Sequence, residues 1–352
     1  MMRKSKAIGI FVAALLAVSA GACGGPSSGG SSETGDGRVN LLMDPSYSTG
    51  LEVSAPGEPV YTDLEDDGYF SWASGGEIDY GGTATGTGPL WSLAQHASSY
   101  SLVDPAYRTP EVKEDGTYVY SDPAKTVAVN RGKNSITLGI KGSVEYSSDD
   151  DGDGIRDGEN LLPRSGSEPW VHLLLTSTLY PKMTVRELEK LEFEIDMTLE
   201  QCDDVLADRG MEELFNPNAH AAQVTMFFMV YSNAAADQGK YFWFGIPLFD
   251  ARYDRLDPSI MFDRGTSSWM VGTGTDVVLS EKPQVGKTYQ IRYDMIADLK
   301  TGLEKCREQG ALLNTTVDDL YIQDFNIGWE LPGIYDVGIT FENFGVYATR
   351  KG

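Results

Sequence analysis

The feature that most constrains the fold is a strict alternation of apolar and polar side chains along residues 191–199. Every second residue there is apolar, from Leu191 to Leu199, and the residues between them are acidic or threonine. Residues 289–295 repeat the pattern with polar side chains at 290, 292 and 294. A period of two with one polar face is typical of an antiparallel strand that is half buried. We therefore expect sheets with one face toward a core.

Other segments extend this prediction to an all-β chain. The apolar runs 224–231 and 241–248 predict central strands, and further strands are predicted at 126–129, 135–140, 172–176, 277–279, 335–341 and 345–348. Helices are few: two turns after Thr184, where Glu187 completes a capping box, one helix over 296–309 and a less regular third over 203–214. We predict a two-sheet antiparallel β-sandwich with a few short helices, which resembles jelly-roll and lectin-like sandwiches.

The first 22 residues have the organisation of a secretory signal peptide. A basic start is followed by apolar residues 7–20 and a small-residue cleavage pattern at 20–22, directly before Cys23. This segment resembles a bacterial lipoprotein signal, which implies that Cys23 is acylated and anchors the protein outside the cytoplasm, on a cell membrane or outer membrane. Ala20 stands where that family usually has leucine, so ordinary secretion with a free Cys23 is the alternative.

The remaining chain is predicted to be a tether followed by one domain. Residues 23–37 are rich in glycine and serine, which is typical of a flexible linker. Residues 38–352 show no second linker and no repeat, and the Gly-rich part 38–100 is a candidate wrapping extension of that single domain.

Charge excludes two classes of partner. The chain has 28 basic and 52 acidic residues, and loss of the three basic residues of the leader leaves 25 against 52, a formal net charge of −27. Nucleic acids and anionic membrane surfaces select the opposite charge. Contact with a membrane is therefore expected through the N-terminal lipid only.

Three cysteines leave one pair when Cys23 carries a lipid. Cys202 and Cys306 are a candidate disulfide, because the leader implies an oxidising compartment. The alternative is two separate buried thiols.

An acidic loop supplies the sharpest motif. Residues 148–160 read SDDDGDGIRDGEN, with aspartates at alternate positions and a glycine for the turn. Calcium prefers six to eight oxygen ligands, and this segment resembles the calcium loops of thrombospondin type 3 repeats and dockerins. Position twelve is Asn160 and not the glutamate of an EF-hand, so we expect one structural Ca²⁺; the alternative is a solvated acidic turn. The candidate ligands are Asp149, Asp151, Asp153, the carbonyl of Ile155, and Asp157.

One set of carboxylates is a candidate enzymatic site. Glu192, Glu194 and Asp196 share one strand face at the spacing of paired carboxylates in glycoside hydrolases. Residues 194–196 also resemble the start of the E-I-D strand motif of β-glucanases with a lectin-like fold, but Thr198 and Leu199 stand where its third acid would be. A solvent-facing charged strand is the favoured interpretation.

Binding of a sugar has more candidates. Saccharides present apolar faces rimmed by hydroxyls, which proteins meet with aromatic rings and polar side chains. The candidate ligand-binding residues lie on the 241–248 strand, just after it, in a Gly/Ser-rich loop and in the NIGWELPG segment: Tyr241, Trp243, Asp250, Arg252, Trp269 and Trp329. Core packing is the alternative for each aromatic ring.

These observations predict an anchored surface protein that captures an extracellular or cell-wall glycan without cleaving it. The first alternative is a polysaccharide hydrolase or lyase of the same fold. The second is a structural or protein-interaction lipoprotein. The glycan role follows mainly from the resemblance of the fold.

Overall fold

The computed structural model describes residues 37–54, 56, 60–61, 70–71, 77–78, 89–150, 152, 156–166 and 168–352. Cys23 lies outside these residues. Within them no helix is long and apolar enough to cross a membrane. The strands, in chain order, are β1 (Val39–Asn40), β2 (Leu51–Val53), β3 (Val60–Tyr61), β4 (Phe70–Ser71), β5 (Glu77–Ile78), β6 (Trp91–Ala94), β7 (Glu111–Val112), β8 (Tyr118–Ser121), β9 (Lys125–Asn130), β10 (Ser135–Lys141), β11 (Val171–Thr178), β12 (Leu188–Asp204), β13 (Gln223–Ser232), β14 (Tyr241–Asp250), β15 (Ser259–Asp263), β16 (Ser268–Gly272), β17 (Thr288–Asp294), β18 (Leu320–Leu331) and β19 (Tyr335–Arg350).

The described strands form a β-sandwich of two large sheets, as predicted. One has the order β17-β12-β19-β10-β9-β8-β7, with β1 also beside β19, and the other has the order β15-β16-β14-β13-β18-β11-β6-β2-β5. Most pairs are antiparallel; β14 with β16 and β2 with β6 are parallel. The second, nine-stranded sheet carries the features discussed below.

Period-two alternation places the core between the sheets. On β12, Phe193, Ile195 and Met197 are fully buried, whereas Glu192 and Glu194 point away from the core. On β13 and β14 one residue in two joins the same large apolar cluster. The other residues of these two strands lie on the outer face of the nine-stranded sheet, where Phe227, Met229, Trp243 and Met270 form a second, smaller cluster.

The helices are short in the described part of the chain. They are α1 (Gly142–Glu145), α2 (Val205–Arg209) and α3 (Ile296–Glu308), with 3₁₀ turns at Val185–Glu187, Glu212–Leu214, Thr275–Val277 and Val317–Asp319. The Glu187 carboxylate accepts hydrogen bonds from the backbone N–H and hydroxyl of Thr184, as the capping box predicts. The predicted two turns shrink to one 3₁₀ turn because Leu188 already enters β12.

The predictions of a strand at 277–279 and of a disulfide are wrong. The predicted strand at 277–279 lies in and after a 3₁₀ turn, because the Thr275 carbonyl accepts hydrogen bonds from the N–H groups of Val278 and Leu279. The predicted disulfide is absent: Cys202 and Cys306 are free thiols, on β12 and on α3 respectively. Burial raises the pKa of each thiol to about 12, so neither has the thiolate character of a reactive cysteine.

Candidate functional site

A cavity of about 220 Å³ lies on the outer face of the nine-stranded sheet. Its described lining combines an indole ring and a thioether with a carboxylate, an amide and hydroxyls. Those residues come from four neighbouring strands and from β6 at their side: Trp243, Met229, Asp324, Asn326, Thr176, Thr178 and Ser92. We call this the Trp243 cavity.

Strand register brings these side chains together. Thr178 pairs with Asp324, Asp324 with Met229, and Met229 with Trp243, so one row crosses β11, β18, β13 and β14. A one-residue slip of any strand would turn its member of the row toward the core. The buried alternate residues of the same strands fix the register, because they must face inward.

Among the described residues that line the Trp243 cavity, Asp324 carries the carboxylate. It is 5% exposed and accepts hydrogen bonds from the Thr178 hydroxyl (2.7 Å) and the Tyr231 hydroxyl (3.3 Å). Burial raises its pKa above the ordinary value of an aspartate, although both hydrogen bonds oppose the shift. A carboxyl of this kind can accept a hydrogen bond from a ligand hydroxyl when ionised and can donate a proton when protonated.

Trp243 is held in one orientation at the cavity wall. Its indole Nε1 donates to the Thr266 hydroxyl at 3.3 Å, and that hydroxyl donates in turn to Asp263 at 2.6 Å. The Phe227 ring meets the indole edge to face at 6.2 Å. The ring is 2% exposed, so its contribution to a ligand contact is through the part that lines the cavity.

Tyr241 lies beside Trp243, and Tyr241 and Trp269 line a second cavity. The Tyr241 ring is 5.9 Å from that of Trp243, and the second cavity, of about 360 Å³, is lined by both Tyr241 and Trp269. Trp269 was predicted in a loop and is found in β16, because this segment pairs in parallel with β14 and antiparallel with β15. Tyr241 and Trp243 thus share the outer face of the sheet, whereas Trp269 packs against the core on the other side.

Asp250 and Arg252 lie at the opposite end of β14 from Tyr241 and do not line the Trp243 cavity. The Arg252 guanidinium donates to both oxygens of Asp250, at 3.0 and 2.7 Å, and also to Gln223. Gln223 donates to Glu330 at 2.6 Å, and burial raises the pKa of Glu330 to about 7. These partners give the two predicted residues a role inside a buried polar network.

Trp329 belongs to the core. It is completely buried, its indole N–H donates to the Leu138 carbonyl at 3.1 Å, and Phe249 meets its ring edge to face at 6.0 Å. Because this position of β18 faces the core, the Trp329 ring is not accessible to a ligand.

The carboxylates of the enzymatic prediction lie on the other sheet and are paired with cations. Glu194 forms ion pairs with Arg38 and Arg292, Asp196 with Arg292 at 2.9 Å, and Glu192 with Arg38 at 3.7 Å. The arginines compensate these charges, and Asp196 is 7% exposed.

The acidic loop is clamped at its base. Ser147 and Leu161 form an antiparallel bridge, and the Ser148 N–H donates to the Asn160 carbonyl at 3.0 Å. Of the five candidate calcium ligands, Asp149 and Asp157 are described; Asp151, Asp153 and Ile155 lie outside the described residues. Within the described part of the chain no three potential ligands of the His, Cys, Asp or Glu type are grouped as a metal site.

Sequence reasoning missed Asp324 and Asn326, together with the strand that carries them. A bulge causes the miss: Val230 pairs with Ile322 and Met229 with Asp324, so Gln323 is the extra residue. Ile322 and Phe325 therefore both face inward three positions apart, which breaks the period of two. The alternation resumes afterwards at Ile327 and Trp329. This short alternating segment was the signal from which the strand could have been predicted.

No family model and no curated protein matches the chain. Solved structures with a similar arrangement include the endoglucanase Cel12A of Rhodothermus marinus, with 10% identity over 70% of this chain and 97% of that one and a TM-score of 0.35. A family 12 xyloglucanase of Bacillus licheniformis has 8% identity, 67% and 95% coverage and a TM-score of 0.35. The xyloglucanase domain of NopAA, a type three effector of Sinorhizobium fredii solved with cellobiose, has 10% identity, 67% and 94% coverage and a TM-score of 0.31.

These neighbours are glycoside hydrolases, the class of the first alternative and not of the main prediction. At such identities and TM-scores the likeness extends to the sandwich fold only. The function has to follow from the side chains of this chain.

Proposed function

We propose that this protein binds an extracellular polysaccharide in the Trp243 cavity. The observation that carries the proposal is the row in which Met229 lies between an indole ring and Asp324 in one cavity, with Asn326, Thr176 and Thr178 in the same lining. An aromatic ring packs against the C–H face of a sugar, and carboxylate, amide and hydroxyl groups exchange hydrogen bonds with its rim. The mixture of one apolar wall and several convergent polar groups is what a small-ligand site requires.

The test is a panel of insoluble and soluble polysaccharides incubated with the purified protein. We expect retention on at least one polysaccharide, without release of new reducing or unsaturated ends. A folded protein that is retained by none of them would contradict the proposal and favour a structural or protein-interaction role.

Hydrolysis is the second candidate, and the raised pKa of Asp324 favours it, because a protonated carboxyl can act as a general acid. The two-carboxylate mechanism needs a second acid within about 10 Å of the first. The described lining of the Trp243 cavity supplies one carboxylate, so binding without cleavage is the main proposal. Release of reducing ends that Asp324→Asn abolishes would reverse this order.

We also propose that Cys23 carries the lipid that holds the protein at the cell surface. Cys23→Ser should move the protein from the membrane fraction of bacterial cells to the soluble fraction, because the acyl chains supply its predicted membrane affinity. Quantitative immunoblotting of the two fractions measures the shift. A variant that stays with the membrane would show that something other than this cysteine anchors it.

The acidic loop is proposed to hold one structural Ca²⁺. At millimolar calcium, a site with an extracellular affinity of about 10⁻⁴–10⁻³ M stabilises the folded state by about 0.4–1.4 kcal/mol. EDTA should therefore lower the melting temperature by about 1–3 °C, and Asp149→Ala combined with Asp157→Ala should melt at the temperature of the EDTA-treated wild type. The exposed Asp208→Ala is the matched control. Identical melting curves with calcium and with EDTA would remove the proposed ion.

A further inference from the structure

The Trp243 cavity has one ionisable side chain among its described lining residues, and that side chain is an acid. The others are apolar or aromatic, or carry a hydroxyl or an amide. The acid, Asp324, accepts hydrogen bonds from the hydroxyls of Thr178 and Tyr231, at 2.7 and 3.3 Å. An ionised carboxylate has about four acceptor positions, so about two remain for a ligand.

Asp324 has no cationic partner among the described residues. Three other buried aspartates have a lysine or arginine nitrogen at 2.7–2.9 Å, namely Asp122, Asp237 and Asp250. All lysines, arginines and histidines after Lys6 belong to the described part of the chain, and none of them pairs with Asp324. A buried carboxylate without a cation is costly to ionise, and a ligand that brings a cation offsets this cost.

The segment that leads into the cavity is acidic. Pro89 and Leu90 line the cavity, and residues 55–88 directly before them contain seven acidic residues and no lysine, arginine or histidine. The whole chain has a formal net charge of −24. A field of one sign repels ligands of that sign and concentrates those of the other. The charge pattern therefore disfavours uronates and other anionic sugars and favours a cationic ligand.

The aromatic rings beside Asp324 suit an ammonium group. A cation is attracted to the face of an aromatic ring within about 6 Å of its centre. Tyr231, which donates to Asp324, stacks on Tyr321 at 5.5 Å, and the Lys182 ammonium lies 3.5 Å from the centre of the Tyr321 ring. The protein thus already holds one ammonium group on a tyrosine of this ring pair.

We propose that the Trp243 cavity binds a sugar unit with a free amino group, so that the ligand is a polysaccharide of amino sugars without N-acetyl groups. The ammonium donates to one free acceptor position of Asp324, and a neighbouring hydroxyl donates to the other. A cavity of about 150 Å³ accommodates a six-membered ring the size of benzene, and the Trp243 cavity, at about 220 Å³, has room for one sugar ring. This inference rests on the proposed function and adds the chemical class of its ligand.

The test is calorimetric titration of the wild-type protein with three β-1,4-linked hexamers, those of glucosamine, N-acetylglucosamine and glucose. These ligands share ring and linkage and differ at C2, which carries an ammonium, an acetamide or a hydroxyl group. Near neutral pH and at physiological ionic strength, which screens attraction between exposed charges, we expect the glucosamine hexamer to bind about tenfold tighter than either neutral hexamer. The reason is that charge-assisted hydrogen bonds are roughly twice as strong as neutral ones.

Two variants separate the site from the charge of the whole protein. Asp324→Asn should remove the preference for glucosamine, whereas Asp276→Asn, at a side chain that is 58% exposed, should keep it. Both variants lose one negative charge, so unspecific attraction of a polycation changes equally in the two. Spermidine carries ammonium groups without a sugar ring and should bind more weakly than the glucosamine hexamer.

The amino-sugar inference and the proposed function fail in different ways. A neutral hexamer that binds as tightly as the glucosamine hexamer, or a preference that survives Asp324→Asn, overturns the amino sugar and leaves the proposed function in place. Spermidine binding as tight as that of the glucosamine hexamer overturns the sugar, and with it both proposals. If none of the three hexamers binds, retention of another polysaccharide in the panel overturns the amino sugar alone, and retention of none overturns the proposed function as well.

Discussion

Replacing Gly328 by alanine is expected to lower the free energy of unfolding by about 4 kcal/mol or more. Gly328 has a φ of +150°, which side chains other than glycine's rarely allow. A Cβ there would also overlap the carbonyl oxygen of Leu173 on the neighbouring strand β11. Because Gly328 pairs with Leu174 on one side and Thr225 on the other, neither strand can move away without breaking the sheet. Equilibrium unfolding in urea measures the loss.

Gly132→Ala is the matched control for this prediction. Gly132 lies in the turn between β9 and β10, and an added Cβ would meet only the Asn130 side-chain oxygen, at 3.4 Å. Its effect should stay within about 0.5 kcal/mol. Equal unfolding curves for the two variants would show that β11, β18 and β13 are not packed as described, and the row that forms the Trp243 cavity would lose its basis.

Asp324→Asn is expected to weaken polysaccharide binding about 10- to 100-fold. A hydrogen bond between a ligand hydroxyl and an ionised carboxylate contributes about 1.5–3 kcal/mol, and the amide replaces that acceptor with a neutral one of the same shape. Asp276→Asn, which removes the same charge from a side chain that is 58% exposed and distant in sequence, is the control. Affinity titration on the polysaccharide that the protein retains measures both. Equal affinities for the two variants would place the ligand elsewhere.

The raised pKa of Asp324 gives this prediction a pH dependence. Binding by the carboxylate should fall on acidification, starting at a higher pH than for an ordinary aspartate, whereas the affinity of Asp324→Asn should not change with pH.

The stability of the folded protein changes with pH in the opposite sense. A carboxyl whose pKa is raised by folding contributes stability that is full below its unfolded-state pKa and is lost as the pH rises through its folded-state pKa. Asp324→Asn should therefore keep or gain stability at neutral pH while it loses affinity, which separates a binding role from a structural one.

The parts of the fold that the sequence predicted are those in which local alternation and burial agree. In β12, β13 and β14 the predicted segments alternate regularly, because every second residue there joins the core between the sheets. The alternation in β18 is interrupted by the bulge at Gln323, because a single extra residue reverses which side of the sheet each following side chain faces. This strand was therefore not predicted. Asp324 lies on this strand and was therefore not identified as a site residue.

The site was harder to predict than the strands, because it depends on which strands are neighbours. Trp243 was selected from its own strand, but Asp324 and Thr178 lie 81 and 65 positions away in the chain and join the same row only through strand register. Trp269 looked like a loop residue because glycine and serine flank it. Its pairing with β14 overrides that local preference.

The most direct test of the central claim is a crystal structure of the protein soaked with the hexasaccharide of the polysaccharide that retains it. We predict a saccharide in the Trp243 cavity with one of its hydroxyls hydrogen-bonded to Asp324. A saccharide bound instead on the Glu192, Glu194 and Asp196 face of β12, or with no contact to Asp324, would contradict the account.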